Sequence, residues 1–227
     1  MSDRTFLNKR NRKRFSVVNS KPLIGEGMYG AVFLDKDNNR CIKVGEIAPK
    51  EFKYLYQLAK HGIAPKPYKI QSDRTELIME YINGYTLNDV IDIPDNSVYT
   101  DVGAWTKGLF NSLVDTMETM HLKAKLSHED LHVKNIMYDK VNDRFVIIDA
   151  AAIYSNNKES IVSNLLDFKY EFYLPSMLRQ YITILIDQLF PGYSYSGEIS
   201  NRKDFYKKVK EFYRDLRSAG TQMIICP

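Results

Sequence analysis

The chain has 227 residues, enough for one large domain or two small lobes, and 44% of them are apolar and 26% charged. That balance excludes wholesale disorder, and a net charge of +4 does not by itself call for a nucleic-acid partner. Two cysteines, Cys41 and Cys226, are too few for a disulfide framework and lack metal-ligand spacing, so reduced thiols in a cytoplasmic protein are expected.

Residues 1–14 hold Arg4, Lys9, Arg10, Arg12, Lys13 and Arg14 against one acid, Asp3. Such a run can contact nucleic acid or another acidic partner, or act as a nuclear address; the plainer reading is a solvated, mobile tail. No apolar stretch follows it, so no secretory signal is expected. From 15 to 82 the pattern is mostly strands and turns. The turn Asp35–Asn39 separates "AVFL" from "RCIKV" as in a hairpin. One helix is predicted over Lys50–Lys60, with Phe52, Leu55, Tyr56 and Ala59 on one face, Pro49 at its start and Gly62 at its end. Two more strands flank a polar turn in "PYKIQSDRTELIMEYI".

Beyond a boundary placed at Asn83-Gly84 the period becomes helical. Trp105, Leu109, Leu113, Met117 and His121 or Met120 predict an amphipathic helix over 104–123. A short hairpin around "DKVNDR" interrupts. Pro175 then opens a helix to about Phe190. Its run Tyr181–Phe190 is half a membrane span and carries Asp187, so it reads as a buried helix, and no membrane span is expected. The last helix is predicted over Asn201–Ser218, with Phe205, Val209, Phe212 and Leu216 as its stripe and Gly220 as its end. The fold class is α+β: a small β lobe with one helix over 15–82, then a mostly helical lobe over 83–227.

Several residues carry chemistry. "GEGMYGAV" places Gly25, Gly27 and Gly30 in a G-x-G-x-x-G-x-V pattern. Glycines let the backbone turn tightly and bring its N–H groups to phosphate oxygens. A dinucleotide-binding glycine loop runs into a helix, whereas this one runs into a strand, a turn and a second strand. Lys43, flanked by Ile42 and Val44, alternates to the opposite face of its strand, where its ammonium can bind phosphates. Glu51 in the first helical turn can orient Lys43, with Glu46 as the competing acid; an acid there also simply suits the helix dipole. In "LIMEYINGYTL" the Glu80 carbonyl and Ile82 N–H can pair with an adenine, with Met79 behind it, or the segment is a plain linker.

The loop "HEDLHVKN" puts Asp130 five residues before Asn135, and Asp149 ends the apolar strand "FVII". Phosphoryl transfer needs one carboxylate to accept a hydroxyl proton and oxygen ligands to hold Mg2+ on the phosphates. Asp130 can be the first, Asn135 and Asp149 the second, and Lys134 can neutralise the transferring phosphate. An unpaired buried carboxylate at Asp149 would otherwise be costly. His128 reads as a packed ring bonded to backbone near Asp149. His132 is either a substrate-side contact or a loop histidine with no role.

Taken in order over residues 20–152, these elements resemble the protein-kinase-like superfamily. The resemblance implies a bilobal kinase-like fold and ATP with Mg2+ as cofactors. Lys43 and Glu51 would form the ion pair on the phosphates, Met79–Ile82 the hinge, Asp130 the base, and Asn135 and Asp149 the metal ligands. Departures accompany it. Glu129 stands where the family's H-R-D has arginine, Asp149-Ala150-Ala151 replaces D-F-G, and no A-P-E follows. They imply a compact kinase that needs no activation-loop phosphorylation, similar to those of bacterial effectors, phages or viruses. A monomeric Ser/Thr kinase acting on protein is expected. The "D-L-H-x-x-N" loop is also similar to aminoglycoside- and choline-type small-molecule kinases, though only about 45 residues separate the hinge from His128. A pseudokinase scaffold is the third reading.

Overall fold

The computed structural model describes residues 20–27, 30–91, 106–170, 172, 174, 176–191 and 202–223. The basic tail, Met28, Tyr29, Trp105, Pro175, Asn201 and Cys226 lie outside the described residues.

Five strands make the first, antiparallel sheet: β1 (Leu23–Gly27), β2 (Gly30–Asp35), β3 (Arg40–Gly45), β4 (Pro67–Ile70) and β5 (Glu76–Glu80), in the order β1-β2-β3-β5-β4. The β2–β3 hairpin closes through Asn39, whose φ of 49° is a left-handed value that asparagine tolerates better than most residues. Alternation along β3 sorts its side chains. Ile42 and Val44 pack with Phe33 and Ile78, while Cys41 joins the main core and Lys43 shares its face.

Helix α1 (Glu51–Ala59) buries Glu51, Leu55 and Leu58, an i, i+4, i+7 stripe. Tyr56, expected on the buried face, is instead exposed and carries Lys60 Nζ 4.5 Å above its ring. It lies one position round from Leu55, about 100° off the stripe. Gly62 has φ +74°, as a left-handed turn beyond a helix end requires, and its carbonyl accepts from Arg144 Nη1 at 2.5 Å.

In the second half, β6 (Gly84–Thr86) leaves the first sheet and pairs with β8 (Ile136–Asp139), which pairs in turn with β9 (Arg144–Ile147). A side chain at Gly84 would run into the Tyr138 carbonyl, so the glycine sets this close approach. Strand β7 (Leu126–His128) pairs with β10 (Ile153–Ser155). The helices are α2 (Leu87–Ile91), α3 (Lys107–Glu118), α4 (Lys158–Tyr170), α5 (Ser176–Leu189) and α6 (Arg202–Met223). This is an α+β architecture with a mostly helical second half. Among the described residues no helix is long and apolar enough to cross a membrane.

Three expectations about helices need correction. Tyr181–Phe190 is not a buried helix, since Ile184, Asp187 and Gln188 on it are exposed. The helix expected over 104–123 is regular only to Glu118. A wider π-helical turn, Thr119–Lys123, follows, closed by the Ala124 N–H on the Thr119 carbonyl at 2.9 Å. The added residue per turn shifts the buried register. Before that turn the buried face of α3 is Phe110, Leu113, Val114 and Met117, with Leu109 only half-buried, and of the expected alternatives both Met120 and His121 are fully buried. The last helix does not stop at Gly220 but runs on to Met223. A Cβ at Gly220 would overlap the Phe110 ring, so this glycine is there for helix packing. Gly220→Ala is expected to lower stability by about 1–3 kcal/mol through overpacking, despite alanine's advantage of about 1 kcal/mol in a helix interior. Thermal melting checks it, and an unchanged or higher Tm would contradict this packing.

Candidate active site

Lys43 is the centre of the site. Its register opposite Val32 and Leu77 carries the ammonium to Glu51 Oε1 at 2.6 Å and to Asp149 Oδ1 at 3.3 Å. Burial opposes the Lys43 charge, but Glu51 and Asp149 outweigh it and hold its pKa above the ordinary lysine value. Burial also acts to raise the Asp149 carboxyl. Lys43 and the Ala151 N–H, which donates to Oδ1 at 3.1 Å, more than offset this and leave it below the ordinary range. For Glu51 burial prevails over Lys43 and its pKa is raised.

Contacts between the two halves fix the helix that carries Glu51. Gln57 Nε2 donates to the Ala124 carbonyl at 2.5 Å, and the Ile147 N–H donates to the Ile63 carbonyl at 2.9 Å. At the other end Lys50 Nζ stands over the Tyr154 ring of β10.

The 128–135 loop is pinned just as closely. His128 Nδ1 accepts from the Asp130 N–H at 3.1 Å, so Nε2 carries the proton and donates to the Asp149 carbonyl at 2.5 Å. Burial lowers the His128 pKa, which suits this neutral tautomer. One imidazole thus spaces the Asp130 and Asp149 backbones. Asn135 Nδ2 donates to the Asp130 carbonyl at 2.8 Å, so the amide nitrogen is the end that faces the loop backbone. The Asp130 side chain is 66% exposed, open to an acceptor.

The remaining candidates fall as follows. Gly30 meets Gly45 across the β2–β3 pair, where a Cβ would strike the Val44 carbonyl, so it is needed for strand packing. Around Gly27 there is open space, and Gly25 makes only ordinary contacts with Val32; a ligand, not the fold, would need these two bare. Met79 is buried behind β3. The Glu80 carbonyl accepts from Cys41 Sγ at 3.4 Å, a weak donor that leaves a lone pair available. Burial pushes the Cys41 thiol up to about 12, so it is inert. Ile82 is buried. Lys134 stands exposed on the turn before Asn135 and is not brought into the Lys43 cluster. Glu46 is likewise not part of it.

Three residues that sequence reasoning missed hold the loop from below. Asn164 of α4 accepts from the His128 N–H at 3.0 Å and donates to the His128 carbonyl at 2.6 Å. The same Oδ1 accepts from His121 Nε2 at 3.1 Å, and His121 Nδ1 accepts from the Tyr213 hydroxyl at 2.6 Å. All three are buried. One signal was available: Asn164 is a polar residue on the buried face of α4 that Ile161, Leu165 and Phe168 otherwise fill.

Residues 26–166 match the RIO domain family. The chain belongs to the RIO domain family. This places it in the protein-kinase-like superfamily, as an atypical branch. The RIO domain match covers Gly27, Lys43, Glu51, the 128–135 loop, Asp149 and Asn164. It begins one residue after Gly25 and ends before α5 and α6. No curated protein matches the chain significantly.

Among solved structures, the chain is similar to the kinase PK-1 of Cydia pomonella granulovirus, with 19% identity and a TM-score of 0.47 over 65% of this chain and 60% of that one. It is also similar to a crystal structure of WbdD, with 14% identity and a TM-score of 0.51 over 88% of this chain and 50% of that one. The RIO domain chain therefore spans between half and three fifths of the length of these neighbours. The WbdD likeness is one of fold.

Proposed function

We propose that this RIO domain protein is an ATP- and Mg2+-dependent protein kinase that phosphorylates serine or threonine hydroxyls. The observation that carries this reading is Lys43 held between Glu51 and Asp149 at 2.6 and 3.3 Å. A desolvated, fixed ammonium is what the α- and β-phosphates of ATP need, and positioning with charge stabilisation supplies most of the catalysis of phosphoryl transfer.

Mg2+ fits the residues present. Hard oxygen ligands suit it, and it keeps phosphate and water oxygens beside one or two protein ligands. Asp149 has Oδ2 beyond its bonds to Lys43 and Ala151, and Asn135 has Oδ1; these two would hold the ion. Among the described residues no group of three or more His, Cys, Asp or Glu is gathered as a full metal cage. When bound, the ion would neutralise charge on the β- and γ-phosphates.

Asp130, pinned through its backbone and open at its carboxylate, is the base. Lys134, exposed nearby in the sequence, supplies positive charge for the transferring group. The open carboxylate favours a macromolecular acceptor over a small molecule enclosed in a pocket. After Asp149 the chain passes at once into β10 and α4, which leaves no long segment to be switched on by phosphorylation. The test is incubation of the chain and a cell lysate with γ-labelled ATP and Mg2+. Label in protein phosphoserine or phosphothreonine is expected. Label only in small molecules, or only in phosphotyrosine, would overturn the acceptor assignment.

A further inference from the structure

His132 lies between the base and the metal-binding amide, and its two ring nitrogens have separate tasks. Nδ1 accepts from the Lys134 N–H at 3.1 Å and caps the single turn Val133–Asn135. An N–H can only donate, so Nδ1 is bare and the proton sits on Nε2. That nitrogen is 3.5 Å from Asp130 Oδ2. It is also 3.1 Å from Asn135 Nδ2, which lies 3.4 Å from the same Asp130 Oδ2. One amide proton of Asn135 is taken by the Asp130 carbonyl; the other is directed at Oδ2. Two donors thus converge on one carboxylate oxygen, at separations that shorten readily when a substrate closes the site.

We propose that His132 is a positioning residue: with Asn135 it holds Asp130 by Oδ2, so that Oδ1 is the oxygen that takes the acceptor's proton. This rests on the kinase reading. In that step the acceptor oxygen forms its bond to the γ-phosphorus, the bond to the β–γ bridging oxygen breaks, its electron pair leaves with ADP, and the hydroxyl proton passes to Oδ1. A carboxylate free to rotate would spend part of its time with neither oxygen aimed, and orientation loss of this kind appears in kcat.

The two tasks of the ring separate by substitution. In His132→Asn the amide oxygen can replace Nδ1 as cap but nothing reaches Asp130. In His132→Gln the amide nitrogen can replace Nε2 while the cap is lost. Transfer from γ-labelled ATP to a mixture of casein and histone is followed for wild type, His132→Asn, His132→Gln and His132→Ala, with Tm recorded for each. His132→Gln is expected to keep kcat within about threefold of wild type. His132→Asn and His132→Ala are expected to lose about tenfold in kcat with an unchanged KM for ATP. If His132→Asn matches wild type while His132→Gln is as impaired as His132→Ala, His132 is only a cap and the proposal is overturned. Equal kcat in all four proteins overturns it too. A wild type without transfer overturns the kinase reading itself, and the role of His132 with it.

Discussion

Asp149→Ala and Lys43→Ala are each expected to lower phosphoryl transfer by a factor on the order of 10² or more. The two variants fail for different reasons. Asp149→Ala removes the proposed oxygen ligand for Mg2+ and one of the two partners of Lys43. Lys43→Ala removes the proposed phosphate-binding cation and also strands Glu51, which is only 2% exposed and whose Oε2 already lacks a hydrogen-bond partner among the described residues. An uncompensated buried carboxylate costs about 3–5 kcal/mol, so Lys43→Ala should melt lower as well. The pair Lys43→Met with Glu51→Gln is then expected to recover most of the lost Tm and none of the transfer. Transfer assays beside thermal melting check both. Full activity in Lys43→Ala or in Asp149→Ala would sink the site assignment.

Asn164→Ala is expected to be the most damaging substitution outside the Lys43 cluster. It leaves the His128 N–H, the His128 carbonyl and the His121 Nε2–H without partners in a fully buried place, with only the Tyr213 bond left on the His121 ring. Each such group costs about 1–3 kcal/mol, so a loss of about 3–5 kcal/mol is expected, a large part of a typical folding stability. Urea unfolding measures it, and a loss below about 1 kcal/mol would contradict the network.

The same network makes folding sensitive to acid. Burial pushes His121 from 6.5 down to about 4. The folded ring stays neutral where the unfolded ring takes a proton. Its contribution is therefore complete above about pH 6.5 and is lost as pH falls toward 4, to the extent of about 3 kcal/mol. Burial lowers His128 as well, with the same sign. His121→Gln should flatten the stability curve over this window; an unaltered slope would show that His121 is not the titrating group.

Much of the architecture was legible because its signals are local. The turns at Asp35–Asn39 and within "DKVNDR" (Asp139–Arg144) are coded by adjacent polar residues, and the alternation around Lys43 follows from strand geometry alone. The site residues were legible for a related reason. A strand lysine and carboxylates beside apolar runs need oppositely charged partners once they are buried, and Lys43, Glu51 and Asp149 do meet. What escaped depends on distant partners. The π-helical turn at Thr119–Lys123 has no marker in its own sequence. The link from Tyr213 to His121 spans 92 positions and becomes visible only once α6 is docked. Gly220 read as a stop because glycine usually is one, whereas its role is to admit Phe110. Tyr56 read as buried because apolar spacing cannot see the cation above its ring.

On the kinase reading the 128–135 loop and the Lys43 cluster together perform phosphoryl transfer. The most direct test of that reading is Asp130→Asn, which keeps the size and backbone bonds of the residue and removes only the proton acceptor. ATP with Mg2+ should raise the Tm of wild type and of Asp130→Asn alike, while transfer from γ-labelled ATP falls by about 10²-fold or more in the variant. Wild-type transfer by Asp130→Asn would contradict the reading, as would the absence of any ATP-dependent change in Tm for either protein.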